Sequence, residues 1–423
     1  MEKKNILVFP CGSEIGLDIY NCVRYSTYFK LIGASSTKDH GSLIYEDYID
    51  GIPHITDPLI IPTLQRIIRE RKIDAIYPTM DSVICELKRN ESILGCKVVS
   101  SPYDVTALCL SKRRTYERLN GIVDVPSLYD KDNIPQYPVF VKPDVGYGAI
   151  GAKIINDSVE LESAIKDRND MLILENLPGE EYTVDCFTSR EGHLIYASAR
   201  QRNRVKSGIS VNTVFVENQT EFLAFAEKIN SEISFRGAWF FQVKRRANGE
   251  LCLMEIASRF GGSSLLSKSI GVNLPQLSLF DVFDYDVDII RNDYSVELDR
   301  SMGSRYNLQI YYDTVYVDYD DCLLLEKSRV NEDLVSFLYK CINRRIKVIL
   351  LTKHMGNLDE SLKQFRLKHI FDEVIHLRQD DSKWKYICSK DSIFIDDSYS
   401  ERKSVKRRLN IPVFSPEMID VLM

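Results

Sequence analysis

The sequence predicts a mixed α/β chain of three units: a parallel α/β unit, an α+β unit with antiparallel strands, and a second parallel α/β unit. Short apolar runs alternate with helical patterns over residues 1–100 and again after residue 305, as is typical of parallel sheets. Between these regions the apolar runs come in pairs, and Ala-Asn-Gly at 247–249 is a hairpin turn signal. We therefore predict units at 1–100, 101–305 and 306–423.

Composition limits the classes of function. A chain of 423 residues has room for two or three domains, and its formal charge of −6 gives no overall basic field for nucleic acid. The 10 cysteines form no CxxC pair and no Cys/His metal spacing, which favours reduced thiols in a cytoplasmic protein. No apolar run approaches the roughly 20 residues of a membrane helix, and the run at 6–10 is too short for a secretory signal. We expect no membrane or nucleic-acid partner; the oligomeric state is left open, with a homo-oligomer among the alternatives.

The strands of the two parallel units are read from their apolar runs. Those of the first unit are predicted at 5–10, 29–35, 73–79 and 97–100, and those of the third at 314–319, 347–352, 373–377, 392–396 and 412–414.

A glycine-rich loop follows a predicted strand in the middle unit. Residues 139–154 read VFVKPDVGYGAIGAKI, with Lys142 on the strand and Gly146, Gly148 and Gly151 after it. Glycines allow close approach of the backbone to phosphate oxygens, and a lysine supplies positive charge. A dinucleotide fold would need a helix after the glycines, whereas AKII favours a strand. We predict a hairpin flap over phosphates; a flexible hairpin tip without a ligand is the alternative.

Two further stretches of the middle unit carry charged groups suited to phosphate chemistry. CLMEIASRFGG delivers Glu255 and then Arg259, a carboxylate for magnesium and an arginine for a transferring phosphate. In RQRNRVKSG the basic residues alternate, so in an extended strand they would share one face. That face suits an anionic substrate or phosphates; a solvated strand face is the alternative. The alternating residues are Arg200, Arg202, Arg204 and Lys206.

Residues 5–285 resemble the ATP-grasp superfamily, most closely its carbamoyl-phosphate-synthase-like branch. The resemblance rests on ILVFPCGSEIG, IYPTMD, the glycine loop, LILENLPGEEYTVD and CLMEIASRFGG in that order. It implies ATP and Mg²⁺ as cofactors and a carboxylate–amine ligase reaction through an acyl phosphate. The residues it assigns are Lys112 and Lys142 at the ATP phosphates, Gly146, Gly148 and Gly151 in the flap, Glu175 and Leu177 at adenine, Glu181 at the ribose, Gln242 and Glu255 at the metal, and Arg259 at the acyl phosphate.

The metal motif departs from the family pattern. The family usually reads E-x-N-P-R, and this chain reads Glu-Ile-Ala-Ser-Arg over 255–259. Ala257 cannot coordinate through its side chain, and Gln242 is neutral where many members have an acid. One magnesium, held by Glu255 and the triphosphate, is therefore expected. Ala257 favours an alternative in which the first two units form a clamp that binds nucleotide without hydrolysing it.

The third unit contains the acidic sequence YVDYDDCL at 316–323. Asp318 and Asp320 are spaced i, i+2 and would project to the same side of an extended chain. One acid could attack phosphorus while the other moves a proton, with magnesium offsetting their repulsion. Hydroxyl, cationic and acidic groups follow later strands, and parallel sheets bind ligands at the carboxyl ends of their strands. These groups are Thr352, Lys383, Asp396 and Asp397.

This set is similar to the haloacid-dehalogenase-like phosphohydrolases over residues 310–423. The resemblance implies a Rossmann-like domain whose nucleophile is Asp318 and whose general acid/base is Asp320, with a metal site that includes both. Cys322 stands where the family has threonine, and Lys385 is a rival for the lysine role. The short intervals between the motifs predict a capless domain with an open site. The remaining assignments are Thr352 at the phosphoryl group, Lys383 as the charge-balancing lysine, and Asp396 and Asp397 as magnesium ligands.

The sequence thus predicts a bifunctional cytoplasmic enzyme. Its first two units are expected to join a small-molecule carboxylate to an amine with ATP, and its third to hydrolyse a phosphorylated substrate with Mg²⁺. Two alternatives stay open for the clamp: an ATP-dependent small-molecule kinase, and a non-catalytic nucleotide sensor attached to the phosphatase. The sequence does not identify the carboxylate, the amine or the phosphorylated substrate.

Overall fold

The structure is a computed structural model that describes residues 2–146, 148, 150–166, 168–206, 208–301 and 304–423. These residues form a mixed α/β chain, in agreement with the predicted class. Within the described residues, no helix combines the length and the apolar character that crossing a membrane requires.

The first unit is a parallel sheet with helices on both faces. The strands are β1 (Lys4–Phe9), β2 (Phe29–Ala34), β3 (Tyr48–Ile49), β4 (Ala75–Pro78) and β5 (Lys97–Val98), and the helices are α1 (Glu14–Val23), α2 (Ile60–Arg71), α3 (Asp81–Arg89) and α4 (Glu91–Leu94). The strand order is β3-β2-β1-β4-β5. One face packs against α1 and the other against α2 and α3, because parallel strands are apolar on both sides. Ser13 begins α1, and its hydroxyl accepts a hydrogen bond from the Gly16 amide.

The first part of the second unit has three helices and a small antiparallel sheet. The helices are α5 (Tyr103–Leu110), α6 (Lys112–Leu119) and α7 (Ser158–Ile165), and the strands are β6 (Leu128–Tyr129), β7 (Val139–Pro143), β8 (Lys153–Ile155) and β9 (Met171–Glu175). Their order is β6-β9-β7-β8. Antiparallel β7 and β8 flank the glycine-rich loop, so a strand follows the glycines as predicted. Tyr147 and Ala149 of this loop lie outside the described residues.

A larger antiparallel sheet faces the small one. Its strands are β10 (Glu181–Thr188), β11 (Leu194–Lys206), β12 (Ile209–Phe215), β13 (Gly237–Arg245), β14 (Leu251–Ala257), β15 (Val296–Arg300) and β16 (Ser304–Leu308), and the helices of this region are α8 (Thr220–Glu232), α9 (Leu265–Ser269) and α10 (Leu274–Val282). The order is β14-β13-β10-β11-β12-β15-β16. The hairpin of β15 and β16 was not predicted, and the expected boundary at 305/306 falls inside β16. At the predicted hairpin between β13 and β14, Gly249 has a φ of +89°, a backbone conformation that favours glycine.

The third unit is again a parallel sheet. Its main strands are β17 (Thr314–Val317), β20 (Lys347–Thr352), β21 (Glu373–His376), β22 (Ser392–Ile395) and β23 (Val413–Phe414), a hairpin consists of β18 (Leu324–Leu325) and β19 (Arg329–Val330), and the helices are α11 (Glu332–Asn343), α12 (Leu358–Gln364), α13 (Tyr399–Leu409) and α14 (Ile419–Leu422). The order is β21-β20-β17-β22-β23, with every pairing parallel. The strand predicted at 314–319 ends at Val317, directly before Asp318.

A continuous apolar core joins the first two units. Residues of β1 and α1 belong to the same buried cluster as residues of α9 and α10. The ring of Phe29 packs against Phe280 and Phe283, with ring centroids 5.1 and 6.1 Å apart. The predicted division near residue 100 therefore separates two sheets but not two cores.

The third unit docks on the amino-terminal edge of the first sheet. Lys3, just before β1, forms an ion pair with Glu326 of the β18–β19 hairpin at 2.6 Å, and Arg329 pairs with Glu46, just before β3, at 2.8 Å. At the end of α1, Arg24 pairs with Asp333. All three contacts lie at the edge where the parallel strands of the first sheet begin.

A buried lysine ties the three units together. The ammonium of Lys268 in α9 lies 2.9 and 3.0 Å from the carboxylate oxygens of Asp420 in α14 and 3.4 Å from the carbonyl oxygen of Asn21 in α1. The Lys268 side chain is 1% exposed, so its charge has little contact with water. Asp420 is therefore the group that compensates this buried charge most directly.

We expect Asp420→Ala to lower the free energy of unfolding by about 3 kcal/mol, because it leaves the Lys268 charge unpaired in a dry site. Asp359→Ala is the control, since Asp359 pairs only with the exposed Lys363 and Lys368 on the surface of the third unit. That control should change stability little. Urea unfolding followed by circular dichroism measures both, and equal effects of the two substitutions would contradict the assigned role of Asp420.

Candidate active sites

The first candidate site is a cavity of about 330 Å³ between the two sheets of the second unit. Gly151 was predicted with the flap glycines but does not line it. Gly151 has a φ of +76°, and a Cβ there would lie 2.9 Å from Nη1 of Arg168, so this glycine serves the shape of the loop. The predicted residues that line the cavity are Lys112, Lys142, Gly146, Gly148, Glu175, Leu177, Glu181, Gln242 and Glu255.

Two lysines supply positive charge to this cavity. Lys142 on β7 donates from Nζ to the carbonyl oxygen of Met254 at 2.8 Å, and Lys112 at the start of α6 donates to that of Gly146 at 3.2 Å. Burial lowers the pKa of Lys142 to about 8, although the nearby Glu255 carboxylate opposes this shift. An anionic ligand would offset the cost of holding these charges away from water.

At the opposite end of the cavity, Glu175 directs its side chain away from a ligand. Its carboxylate accepts from the amide of Ser127 at 3.0 Å and from Nε of Arg246 at 2.6 Å. The Glu175 carboxylate is thus engaged by protein groups, and residues 174–177 line the cavity. Glu181, at the start of β10, lies 3.0 Å from Nε of Arg202.

The predicted metal ligands are neighbours on adjacent strands. Gln242 on β13 stands opposite Glu255 on β14 in the sheet register. Residues directly opposite one another on one sheet face have side chains within reach of a common ligand. Ala257, two residues further on β14, contributes only a methyl group to the neighbouring cavity.

A second cavity, of about 610 Å³, adjoins the first. It lies between the second unit and the carboxyl ends of β1 and β4, where Ser13, Thr79 and Asp81 line it. Three charged side chains line both cavities and so stand where the two meet. They are Lys112, Arg202 and Glu255.

Arg259 lines the second cavity and is held by the first unit. Its Nε and Nη2 donate to the two carboxylate oxygens of Asp81 at 2.8 and 3.0 Å. Its Nη1 donates to the carbonyl oxygen of Phe260 at 3.2 Å, and the guanidinium lies 5.3 Å from the ring centroid of Phe240. The arginine predicted for the acyl phosphate thus already has a partner for each of these three nitrogens.

The predicted alternation of basic residues on β11 is interrupted. Arg200 and Arg202 both line the second cavity, and Arg200 is buried with its Nε 2.8 Å from Asp185. The register then shifts on either side of Arg204, and Arg204 pairs instead with Asp299 of β15 at 2.7 Å. A bulge adds a residue to one strand, so the alternation of faces breaks there. The shared basic face predicted for Arg204 is therefore wrong; Ser207 of the same stretch lies outside the described residues.

The second candidate site lies at the carboxyl ends of the third unit's strands. Asp318 follows β17, and Asp396 and Asp397 follow β22. Each offers a carboxylate oxygen within 4.8 Å of the other two. Burial and repulsion from Asp396 and Asp318 raise the pKa of Asp397 to about 8. Three hard oxygen donors this close fit a magnesium ion, whose charge would stabilise the ionised carboxylates.

Lys383 and Thr352 complete this cluster. The Lys383 ammonium lies 2.7 Å from Asp318 and 2.6 Å from Asp396. Of the two rival lysines it is the one at the cluster, since Lys385 lies over the ring of Trp384. Thr352 is fully buried at the end of β20, and its hydroxyl has no hydrogen-bond partner among the described residues. Such a hydroxyl is suited to a phosphoryl oxygen.

Asp320 lies apart from the metal cluster. Both its carboxylate oxygens are 3.0 Å from Nδ1 of His354, and its side chain is 37% exposed. The expectation that Asp320 joins Asp318 as a side-chain metal ligand is therefore corrected. The i, i+2 rule applies only to extended chain, and β17 ends at Val317.

Sequence reasoning missed His354 and Asp81. His354 comes two residues after Thr352, in the loop that leaves β20, and position after a strand end was a usable signal. Asp81 lies in the quoted stretch IYPTMD, but its pairing with Arg259, 178 positions later, had no local signal. Cys322 is buried with Sγ 3.9 Å from the carbonyl oxygen of Ile395, so it fills space in the turn.

Sequence comparisons connect part of the chain with known proteins. A family described as "ATP-grasp in the biosynthetic pathway with Ter operon" matches residues 167–300. The chain is 24% identical over 269 residues to an L-arginine-specific L-amino acid ligase of Bacillus subtilis, covering 56% of this chain and 64% of the relative. It is also 24% identical over 296 residues to the carbamoyl phosphate synthase large chain of Thermoplasma acidophilum, covering 62% and 28%. The chain thus spans less than two thirds of the length of these curated relatives.

Solved structures share the fold. A biotin carboxylase in complex with β,γ-ATP from Campylobacter jejuni superposes with a TM-score of 0.60 at 16% identity, over 71% of this chain and 76% of that one. An L-amino acid ligase from Bacillus licheniformis gives a TM-score of 0.57 at 15% identity, over 70% and 79%. Together, the match over residues 167–300 and these shared folds show that the chain is similar to ATP-grasp proteins, which use ATP and Mg²⁺.

Proposed function

We propose that the chain is a bifunctional enzyme, an ATP-dependent carboxylate–amine ligase joined to a magnesium-dependent phosphatase. One observation carries the ligase proposal. The first cavity, which we assign to the nucleotide and call the nucleotide cavity, meets the second cavity at Lys112, Arg202 and Glu255. Phosphoryl transfer requires the donor and acceptor to share such a wall, with positive charge beside it. The names of two relatives, both amino acid ligases, agree with this reaction class.

In the proposed reaction a carboxylate in the second cavity attacks the γ-phosphorus of ATP. The bond from the γ-phosphorus to the bridging oxygen breaks, ADP keeps its electrons, and an acyl phosphate forms. An amine then attacks the acyl carbon, inorganic phosphate leaves, and the nitrogen gives up a proton. Glu14 lines the same cavity and is an acid available to hold a cationic amine, whereas both carboxylate oxygens of Asp81 are engaged by Arg259.

Glu255 and Gln242 are the proposed protein ligands of the magnesium that accompanies ATP. This donor set has one carboxylate, which fits an ion held mainly by triphosphate oxygens and water. The ion would neutralise charge on the phosphates. The side chains of Lys112 and Lys142 would orient the phosphates through their Nζ atoms, as point charges.

For the third unit, the cluster of Asp318, Asp396, Asp397 and Lys383 supports a phosphatase. Asp318 would attack the phosphorus of the substrate, and the bond to the leaving oxygen would break with a proton from Asp320. Water would then attack the aspartyl phosphate while Asp320 takes the proton, releasing phosphate. Magnesium, held by the three acids, would offset the repulsion between Asp318 and the phosphate.

We expect wild-type protein with Mg²⁺ and ATP to release ADP only when a suitable carboxylate is present, and to form a condensed product when an amine is added. A library of amino acids and small acids, scored by ADP release and mass spectrometry, measures both. Glu255→Gln should lower ADP release at least about 100-fold, because a charged metal ligand is lost. Glu250→Gln, in the exposed turn before β14, is the control.

The same screen distinguishes the ligase from the two alternatives for the first two units, a kinase and a nucleotide sensor. A phosphorylated metabolite without a condensed product would identify a kinase. Tight ATP binding without ADP release under every substrate set would favour a nucleotide sensor, as the loss of an asparagine at Ala257 suggests. Either outcome would contradict the ligase.

Asp318→Asn should abolish hydrolysis of p-nitrophenyl phosphate, because an amide cannot form the aspartyl phosphate. ATP binding by the second unit should stay within about twofold of wild type, since Asp318 contributes to neither cavity of that unit. Asp313→Asn, at the opposite end of β17, is a matched control that should keep hydrolysis. Hydrolysis retained in Asp318→Asn would rule out this nucleophile.

We expect ATP affinity to fall as the pH rises through the pKa of Lys142. Below pH 8 the side chain is charged and attracts phosphate, and above it the charge is lost, so the dissociation constant should rise about tenfold between pH 7 and pH 9. Lys142→Arg, which stays charged throughout, should show a much flatter dependence. Calorimetric titration with Mg·ATP at both pH values checks this, and parallel curves for the two proteins would contradict it.

A further inference from the structure

Two arginines near the cavities have different freedom to meet a phosphate. In Arg259, Nε and Nη2 are committed to both carboxylate oxygens of Asp81, and Nη1 to the carbonyl oxygen of Phe260. Bidentate arginine–carboxylate pairs are strong and geometrically specific. To contact a phosphoryl group, Arg259 would have to leave a carboxylate that already balances its charge. Arg259 follows β14 of the second unit and pairs with Asp81 of the first, so it links the two units.

Arg202 stands instead at the wall that the two cavities share. Its Nε lies 3.0 Å from Glu181, and its Nη2 donates to the carbonyl oxygen of Gly208 at 2.7 Å. Although Nε is close to the Glu181 carboxylate, it makes no hydrogen bond with any of the described residues, and the side chain is only 5% exposed. The guanidinium is therefore held by one hydrogen bond and one ion pair, and its Nε–H is available to a ligand.

We propose that Arg202, and not Arg259, is the arginine that contacts the transferring phosphoryl group, and that Arg259 is a positioning residue that holds the first unit across the second cavity through Asp81. This inference rests on the proposed ligase function. A cation on the shared wall faces the γ-phosphate both before transfer, in the nucleotide cavity, and after transfer, in the second cavity. Fixed positive charge at that point stabilises the transition state without reorganisation.

The partner of Arg202 adds a link to nucleotide binding. Glu181 lines the nucleotide cavity and is the acid that the ATP-grasp resemblance assigns to the ribose. When ribose hydroxyls bind that carboxylate, they also fix the group that holds Nε of Arg202. Binding of ATP would thus fix the position of the Arg202 guanidinium before the carboxylate substrate is activated.

Binding constants test this assignment without any turnover. In calorimetric titrations with Mg·ATP and Mg·ADP, Arg202→Ala should weaken ATP binding about tenfold and ADP binding less than threefold, because only ATP has the γ-phosphate. Arg259→Ala and Asp81→Asn should leave the ATP-to-ADP ratio at the wild-type value. Arg204→Ala, on the same strand but paired with Asp299, is the matched control. If Arg259→Ala lowers the ratio of ATP affinity to ADP affinity and Arg202→Ala leaves it at the wild-type value, the proposal is overturned.

Kinetics give the second measurement. With the carboxylate found in the screen, exchange of the bridging oxygen of labelled ATP reports acyl phosphate formation directly. Arg202→Ala should slow it at least about 100-fold at saturating substrate, with partial rescue in Arg202→Lys. Arg259→Ala, Asp81→Asn and the double variant should share one phenotype, a raised KM with kcat within about threefold. A kcat loss confined to Arg259→Ala would contradict the positioning role.

The two proposals fail in different ways. If wild-type protein forms no acyl phosphate with any carboxylate, the ligase proposal fails, while the ATP-to-ADP ratio still tests Arg202. If wild-type protein is active and Arg202→Ala exchanges oxygen at the wild-type rate, the arginine assignment alone fails. Should Arg202→Ala not fold, Arg202→Gln keeps the aliphatic stem and a neutral polar end, and carries the same expected loss of the ATP-to-ADP affinity ratio.

Discussion

The second cavity and the aspartate cluster both lie where parallel strands end. In the first unit, β1 and β4 lead into Ser13, Thr79 and Asp81, which line the second cavity. In the third unit, β17, β20 and β22 lead into the acids and the hydroxyl of the aspartate cluster. A parallel strand buries its apolar residues on both faces, so polar groups can emerge only at its ends, and neighbouring strands of the same direction end at the same edge. The chemistry of the molecule follows from this constraint.

Charged groups at these sites are mutually neutralised. Arg200 is paired with Asp185, Arg259 with Asp81, and Lys383 with two aspartates. A buried ion without a partner would destabilise the fold, so these buried charges are held in pairs. The distinction between a structural arginine and a ligand-contacting arginine is therefore a matter of which nitrogens are already engaged. By this criterion Arg202 is a ligand-contacting arginine and Arg259 is a structural one.

Much of this arrangement could be predicted from local patterns. Apolar runs located every strand of the two parallel sheets except the two-residue β3, and the turn at 247–249 located the hairpin between β13 and β14. The lysines, the glycines and Glu255 were found because each lies beside a strand or turn with a strong signal. The strand face predicted for Arg204 was wrong because a β-bulge has no recognisable signature in a short alternating sequence. The β15–β16 hairpin and the Asp81–Arg259 pair were missed because long-range pairing depends on the folded chain.

The docking of the third unit has a consequence for how the two reactions could be connected. Its ion pairs with Lys3 and Glu46 lie at the amino-terminal edge of the first sheet, whereas the second cavity opens at the carboxyl-terminal edge. The six residues of β1 separate these edges by about 20 Å. A compound made in the cavity would reach the aspartate cluster by diffusing around the protein through bulk water. Covalent fusion would then secure equal amounts of the two catalysts and a short search distance, while leaving the intermediate open to competing enzymes.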